Sequence, residues 1–422
     1  MKRLNLSLIM LAVCAIAAIA VALPVLARAQ SLETVIHHFP SESGDGSAPL
    51  ATLSADNTGN FYGTTDFGGA YGEGSVFELT PTATGWSESV IYSFAGGATG
   101  SSPGYTGVAV DKNGNLYGTT YSGGTVNSAC SIGCGLVYEL SPTSSGWQET
   151  VLYNFTGPDG QYPNEGTLVF DASGNLYGVT GNGGTSGTGV VFKLAPSAGT
   201  WTESVIYDFP DHVGLAVNPW SVSMDASGNL YGVAVGGGMY GFGTIFKLTP
   251  NSSGGWTESN IYSFTGGADS GYPRTNLIFD SAGNIYGMSS GNPGGAGFGA
   301  VFKLSPAFGG GLKFSVLYTF TGVTGGFNPG YQLAMDAAGN LYGTTFYGGN
   351  ASYCVGNAGC GVVFKLTPAS GLWKEYVLRI FTGRTGGNFP NGVIFNAAGT
   401  ALLGTTAEGG AGKDGVVFEV VP

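Results

Sequence analysis

The chain has 422 residues, with 26 acidic and 14 basic side chains, a formal charge of −12 and a mean hydropathy of +0.17. That balance excludes the broad basic surface that nucleic acid or an anionic membrane attracts. Aromatic residues make up 13% and charged residues only 9%, which excludes intrinsic disorder in spite of 77 glycines.

Residues 1–29 read as a signal peptide: Lys2 and Arg3, an apolar run, then Ala27-Arg28-Ala29 as an A-x-A cleavage site. Cleavage after Ala29 leaves residues 30–422, expected to form one exported domain, extracellular or periplasmic. No second apolar run of membrane length follows. No membrane association is expected once the leader is removed.

The first segment after the leader, SLETVIHHF (31–39), alternates like a β-strand. From there the chain repeats. The element GN-x-Y-G recurs at Asn60, Asn115, Asn175, Asn229, Asn284 and Asn340, and a decayed copy, GTALLGTT, begins at Gly399. Successive asparagines stand 55, 60, 54, 55 and 56 residues apart. A period of that length marks a repeat architecture.

Each unit holds four short segments of strand character. In the unit after Pro103 these are YTGVAVD (105–111), NLYGTT (115–120), GLVYELS (135–141) and WQETVLYNF (147–155). Alternation puts Trp147, Glu149, Val151, Tyr153 and Phe155 on one face of the fourth. A D-x-x-G-N turn joins the first two strands, with Asp56, Asp111, Asp171, Asp225, Asp280 and Asp336, and Asn396 in the last unit. One carboxylate per turn suits turn capping better than calcium, which needs several oxygen ligands at short intervals. A proline precedes each first strand, from Pro49 to Pro390, and a phenylalanine ends each fourth, from Phe39 to Phe381. The W-x-E element opening the fourth strands (Trp86, Trp147, Trp201, Trp256, Trp373) recurs at one structural position, which argues for packing.

Four antiparallel strands per unit and seven units give an all-β fold, a seven-bladed β-propeller. The last unit has three strands and then stops. The N-terminal strand 31–39 matches the fourth strands of the other units, so it is expected to complete the last blade and close the ring.

The connections carry what chemistry there is. Cys130 and Cys134 lie in one loop between second and third strands, and Cys354 and Cys360 in another four units on. Two local disulfides are expected, Cys130 with Cys134 and Cys354 with Cys360, in keeping with export. His37, His38 and His212 show no metal-ligand spacing and no nucleophile pairing. No metal, no cofactor and no catalytic residue is assigned. The loops between strands two and three and between blades are the variable ones and share one face. The candidate ligand-binding residues there are Asp159, Tyr162, His212, Trp220, Asp269 and Tyr272.

The strings GNLYGTT…GLVYELSP (114–142) and GNLYGTT…GVVFKLTP (339–368) resemble the GloVer-type (Gloeo/Verruco) tandem repeat family of secreted bacterial proteins. The resemblance covers nearly all of the chain after the leader. It implies a secreted repeat protein and transfers no active-site motif. Many family members carry a C-terminal anchor, and this sequence ends without that pattern. The expectation is a monomeric binding or scaffold module for an extracellular polysaccharide or protein partner, with no nucleic acid. The alternative is an extracellular propeller lyase or hydrolase with its site on the variable face.

Overall fold

The computed structural model describes residues 33–40, 44–105, 107–163, 166–212, 214–291, 297–322, 324–350, 352, 354 and 358–422. The leader read at 1–29 lies outside them. Strands pair in seven antiparallel blades, and no α-helix occurs among the described residues. Blade 1 runs Ser54–Ala55, Phe61–Thr65, Ser75–Thr82 and Gly85–Ser93 from inner to outer strand. The protein is a seven-bladed β-propeller.

Blade 7 shows how the ring closes. Its sheet runs Asn388–Phe395, Leu402–Glu408, Val416–Val420, and then Glu33–His38 from the other end of the chain. Glu33 pairs with Val420 and His38 with Val416. The fourth strand of the last blade is therefore the N-terminal one, as the repeat phase requires.

The core is divided among the seven seams between blades. The seam between blades 7 and 1 packs Phe39, Leu53, Phe61, Phe77, Leu79, Leu403 and Val417, and six equivalent clusters fill the others. In every seam the phenylalanine ending a fourth strand meets the next blade's third-strand aromatic edge-on, as Phe39 does Phe77 at 5.2 Å. The second-strand glycine makes room for that ring. A methyl group on Gly287 would lie 2.6 Å from the Phe302 ring and 2.7 Å from Leu277.

The fourth strand departs from simple alternation. Each carries a β-bulge, at Ile36, Ile91, Leu152, Ile206, Ile261, Leu317 and Leu378, where the register slips by one residue. A bulge switches the side-chain phase, and the expected single face of Trp147 to Phe155 is split by it. Trp147 and Val151 pack toward blade 1, while Tyr153 and Phe155 pack toward blade 3. Each outer strand thus grips both neighbours.

A second stitch recurs at the loops. The residue before each seam proline has a left-handed backbone: Ala48, Ser102, Tyr162, Asn218, Tyr272, Asn328 and Phe389, with φ of 53° to 59°. That conformation turns its N–H toward the preceding blade's carbonyl, as from Ala48 to Asp414 at 2.9 Å and from Tyr162 to Cys134 at 2.8 Å. The proline ring then rests on a glycine of that blade. A Cβ on Gly415 would lie 2.7 Å from Pro49 Cδ. In blades 4 and 7 this proline lies inside a longer inner strand, Ala216–Met224 and Asn388–Phe395, at a register irregularity rather than just before the strand. An inner strand is an edge, where the missing N–H leaves no ladder bond unmade.

The turn carboxylates cap their turns. Asp336 accepts hydrogen bonds from the Ala338 and Asn340 N–H groups (both 2.9 Å), from Asn340 Nδ2 and from Tyr342 Oη. The same set recurs at Asp171 and Asp280. Both expected disulfides are formed, Cys130–Cys134 and Cys354–Cys360, with Cα atoms 5.0 and 5.4 Å apart. Among the described residues no helix is long and apolar enough to cross a membrane.

Candidate binding site on the propeller axis

The inner strands place the site. They converge on the axis, and those of blades 5, 6 and 7 bridge one another directly through Asn276, Gln332 and Gly392. Thr52 Oγ1 of blade 1 donates to Gln332 Oε1 of blade 6 at 2.9 Å, passing over Gly392 of blade 7. The axis is therefore crowded, with a face at either end.

At the end where the chain enters the inner strands, large residues replace small ones. Tyr105 of blade 2 meets Tyr331 of blade 6 edge-on, with ring centroids 6.3 Å apart. Trp220 of blade 4 lies at 5.3 Å and 31° to the same Tyr331, and Phe346 packs at 5.2 Å. Residues of blades 2, 4 and 6 touch only near the axis, so the aromatic cluster caps it. Trp220 is 7% exposed and Tyr105 is 38% exposed. The guanidinium of Arg274, an exposed residue of blade 5, stands 5.1 Å from the Trp220 ring centroid, within cation–π range. Arg274 forms no ion pair with any described residue. The opposite mouth is a shallow pocket of about 380 Å³ lined by small and aliphatic side chains such as Ser54, Val169, Ser223 and Ile278.

Of the residues singled out in the sequence, Trp220 is the one within this cluster. Asp159 accepts hydrogen bonds from Tyr153 Oη and from the Thr156 N–H and hydroxyl, which cap its loop. Asp269 does the same with Tyr262 Oη, Thr265 and the Gly267 N–H, and is 5% exposed. Tyr162 stacks on Tyr121 at 4.6 Å, and Tyr272 packs edge-on to Phe242. Both tyrosines also occupy the left-handed stitch position. His212 is exposed in its loop, its N–H bonded to the Pro210 carbonyl.

Tyr105, Arg274, Tyr331 and Phe346 were not singled out from sequence. Their signal is positional. Counted back from the turn Asp, Tyr105 and Arg274 fall six places before Asp111 and Asp280, while Trp220 and Tyr331 fall five before Asp225 and Asp336.

Residues 124–355, more than half of the chain, match the Gloeobacter/Verrucomicrobia repeat family. The chain belongs to that family. No curated protein is similar enough in sequence to count as a relative of this Gloeobacter/Verrucomicrobia repeat protein. Solved propellers resemble it in fold. A polysaccharide lyase of family PL25, an ulvan lyase, matches 92% of this chain and 96% of its own at 10% identity and a TM-score of 0.55. An ancestral GH74 enzyme matches 92% of this chain but only 51% of its own, at 13% identity and a TM-score of 0.55. A Bacteroides uniformis structure described as a 6-phosphogluconolactonase matches 84% and 88% at 15% identity and a TM-score of 0.51. At these identities the likeness is one of fold.

Proposed function

We propose that this repeat protein is an exported carbohydrate-binding propeller that holds an acidic polysaccharide against the axial aromatic cluster. The observation that carries the reading is the meeting of Tyr105, Trp220 and Tyr331 from three blades, with the unpaired guanidinium of Arg274 against the indole. Aromatic faces offer rigid apolar area to the C–H face of a sugar ring, with little entropy to lose. A guanidinium binds a uronate carboxylate or a sulfate through two parallel hydrogen bonds. The leader and the two disulfides support export to an oxidising compartment. The ulvan lyase of the same fold is bound to GlcA(1-4)Rha3S.

The test is titration of the protein with acidic polysaccharides (polygalacturonate and a sulfated galactan) against neutral dextran and xyloglucan. Acidic chains should bind and weaken as salt is raised. Arg274→Ala and Tyr105→Ala should each weaken binding by about tenfold, the loss of one charge-assisted or stacking contact. Equal binding by both variants and the parent would sink the axial site. Release of shortened or unsaturated chains would favour a lyase or hydrolase instead.

A further inference from the structure

The seven seams make a contact from one equivalent position, and one of them differs in kind. The bulge in each fourth strand aims the residue two places before the final phenylalanine at a residue of the next blade's fourth strand. In blade 1 this is Tyr92, whose hydroxyl donates to Glu149 at 2.7 Å, and in blade 5 Tyr318, which donates to Glu375 at 2.8 Å. Blade 4 stacks Tyr262 on Phe314, and blade 6 pairs Arg379 with Glu33. Each of these joins two side chains directly, although Oε1 of Glu149, Glu375 and Glu33 stays buried without a partner.

At the closing seam the bulge at Ile36 aims His37 instead. Its Nε2 lies 3.0 Å from Asp45 Oδ2, and its Nδ1 lies 3.7 Å from Glu88 Oε2. The first is a hydrogen bond and the second is too long for one. Glu88 is left with no hydrogen bond from any described residue. Its side chain is only 10% exposed, and its Oε1 is buried without a partner like those of Glu149, Glu203, Glu258 and Glu375; what sets it apart is the imidazole nitrogen that faces its second oxygen without bonding it. A buried carboxylate in that condition is costly unless something else faces it.

We propose that His37 and Glu88 bind one divalent transition-metal ion of the zinc type, with Asp45 as the group that orients the imidazole. A tetrahedral zinc with bonds of about 2.0–2.1 Å holds its ligand atoms about 3.4 Å apart. The Nδ1–Oε2 separation of 3.7 Å is close to that and longer than a hydrogen bond. Asp45 accepts from Nε2–H, which leaves the lone pair on Nδ1 facing Glu88. A carboxylate behind the imidazole is the usual support of a metal-bound histidine. Asp45 is itself fixed by the Gly46 N–H at 2.7 Å, so the support is rigid. The free Oε1 lets Glu88 bind through both oxygens, and water completes the shell. The three side chains come from the closing strand, the loop after it and blade 1. The ion would therefore tie the N-terminal strand to the first blade as well as to the last.

The experiment is calorimetric titration of the chelator-stripped full protein with Zn²⁺, read beside its thermal midpoint. His37→Tyr installs the residue that five other blades carry at this position, so it should fold, and Glu88→Gln removes the anionic ligand while keeping its shape. The expected result is one zinc per chain, a rise in midpoint on adding zinc, and at least a tenfold loss of affinity in both variants. His212→Ala should keep the site intact. Absence of saturable binding, or equal affinity in parent, His37→Tyr and Glu88→Gln, would overturn the proposal and leave the trio as a hydrogen-bonded latch.

Discussion

Glu203 and Glu375 stand on fourth strands in the seams, where burial pushes each carboxyl up to about 7. Opposing hydrogen bonds, from Tyr153 and Tyr318 respectively, only soften that rise. A carboxyl raised in the folded state contributes stability below its unfolded value near 4.5, and that contribution is lost as pH climbs through 7. The turn aspartates behave oppositely. Burial would raise Asp171 and Asp336, but hydrogen bonds from Asn175 and Asn340, from nearby N–H groups and from Tyr177 and Tyr342 outweigh it and hold both carboxyls low. Their contribution is present above about 3.8 and fails as pH falls through the lowered value. The thermal midpoint should therefore be highest in mildly acidic buffer and lower at pH 8 than at pH 5. Glu375→Gln should lessen that drop, and a flat profile from pH 5 to 8 would contradict the assignment. The turn carboxylates were legible because each caps a local turn within four residues. The cluster of Tyr105, Trp220 and Tyr331 was not, because its members are more than a hundred residues apart and meet only after the ring forms.

At the scale of the element, the blade is held by features with different sequence signatures. Strand character, the D-x-x-G-N turn and the seam proline repeat visibly. The fourth-strand bulge does not, since its extra residue is an ordinary Ile or Leu and the register slip exists only against the third strand. For that reason the split of the W-x-E strand between two seams was hidden. The stitch residue is hidden too, because Ala, Ser, Tyr, Asn and Phe all occupy it. Its partner glycine is the sensitive one. Gly415→Ala places a methyl group against Pro49 in a left-handed backbone (φ 105°), and should cost about 2–4 kcal/mol, read as a lowered thermal midpoint. The disulfides act more weakly. Each closes a short loop, so Cys130→Ser with Cys134→Ser should cost about 2 kcal/mol and leave a cooperative transition in chemical denaturation. A loss much larger than that would mean the pair supports the seam of blades 2 and 3, where both cysteines are buried.

For the whole molecule, the ring and its closure followed from phase alone: seven units, a last unit one strand short, and a spare strand in front. The ends meet in blade 7, so the order of strands along the chain matters less than their presence. A permutant that carries residues 33–38 after Pro422 on a flexible linker should melt within about 5 °C of the parent, whereas deleting them exposes Val416–Val420 as an open edge. Aggregation of the deletion variant during purification, with a soluble permutant, would be the expected pair of results. The same pairing sets a timetable. Glu33 is made long before its partner Val420. Until Val416–Val420 is made the growing array has two unpaired edges, and the strand Glu33–His38 waits for its partner. Closure is then a late step that every blade must precede, and a growing chain that paused short of Val416 would stay open however well its other six blades had formed.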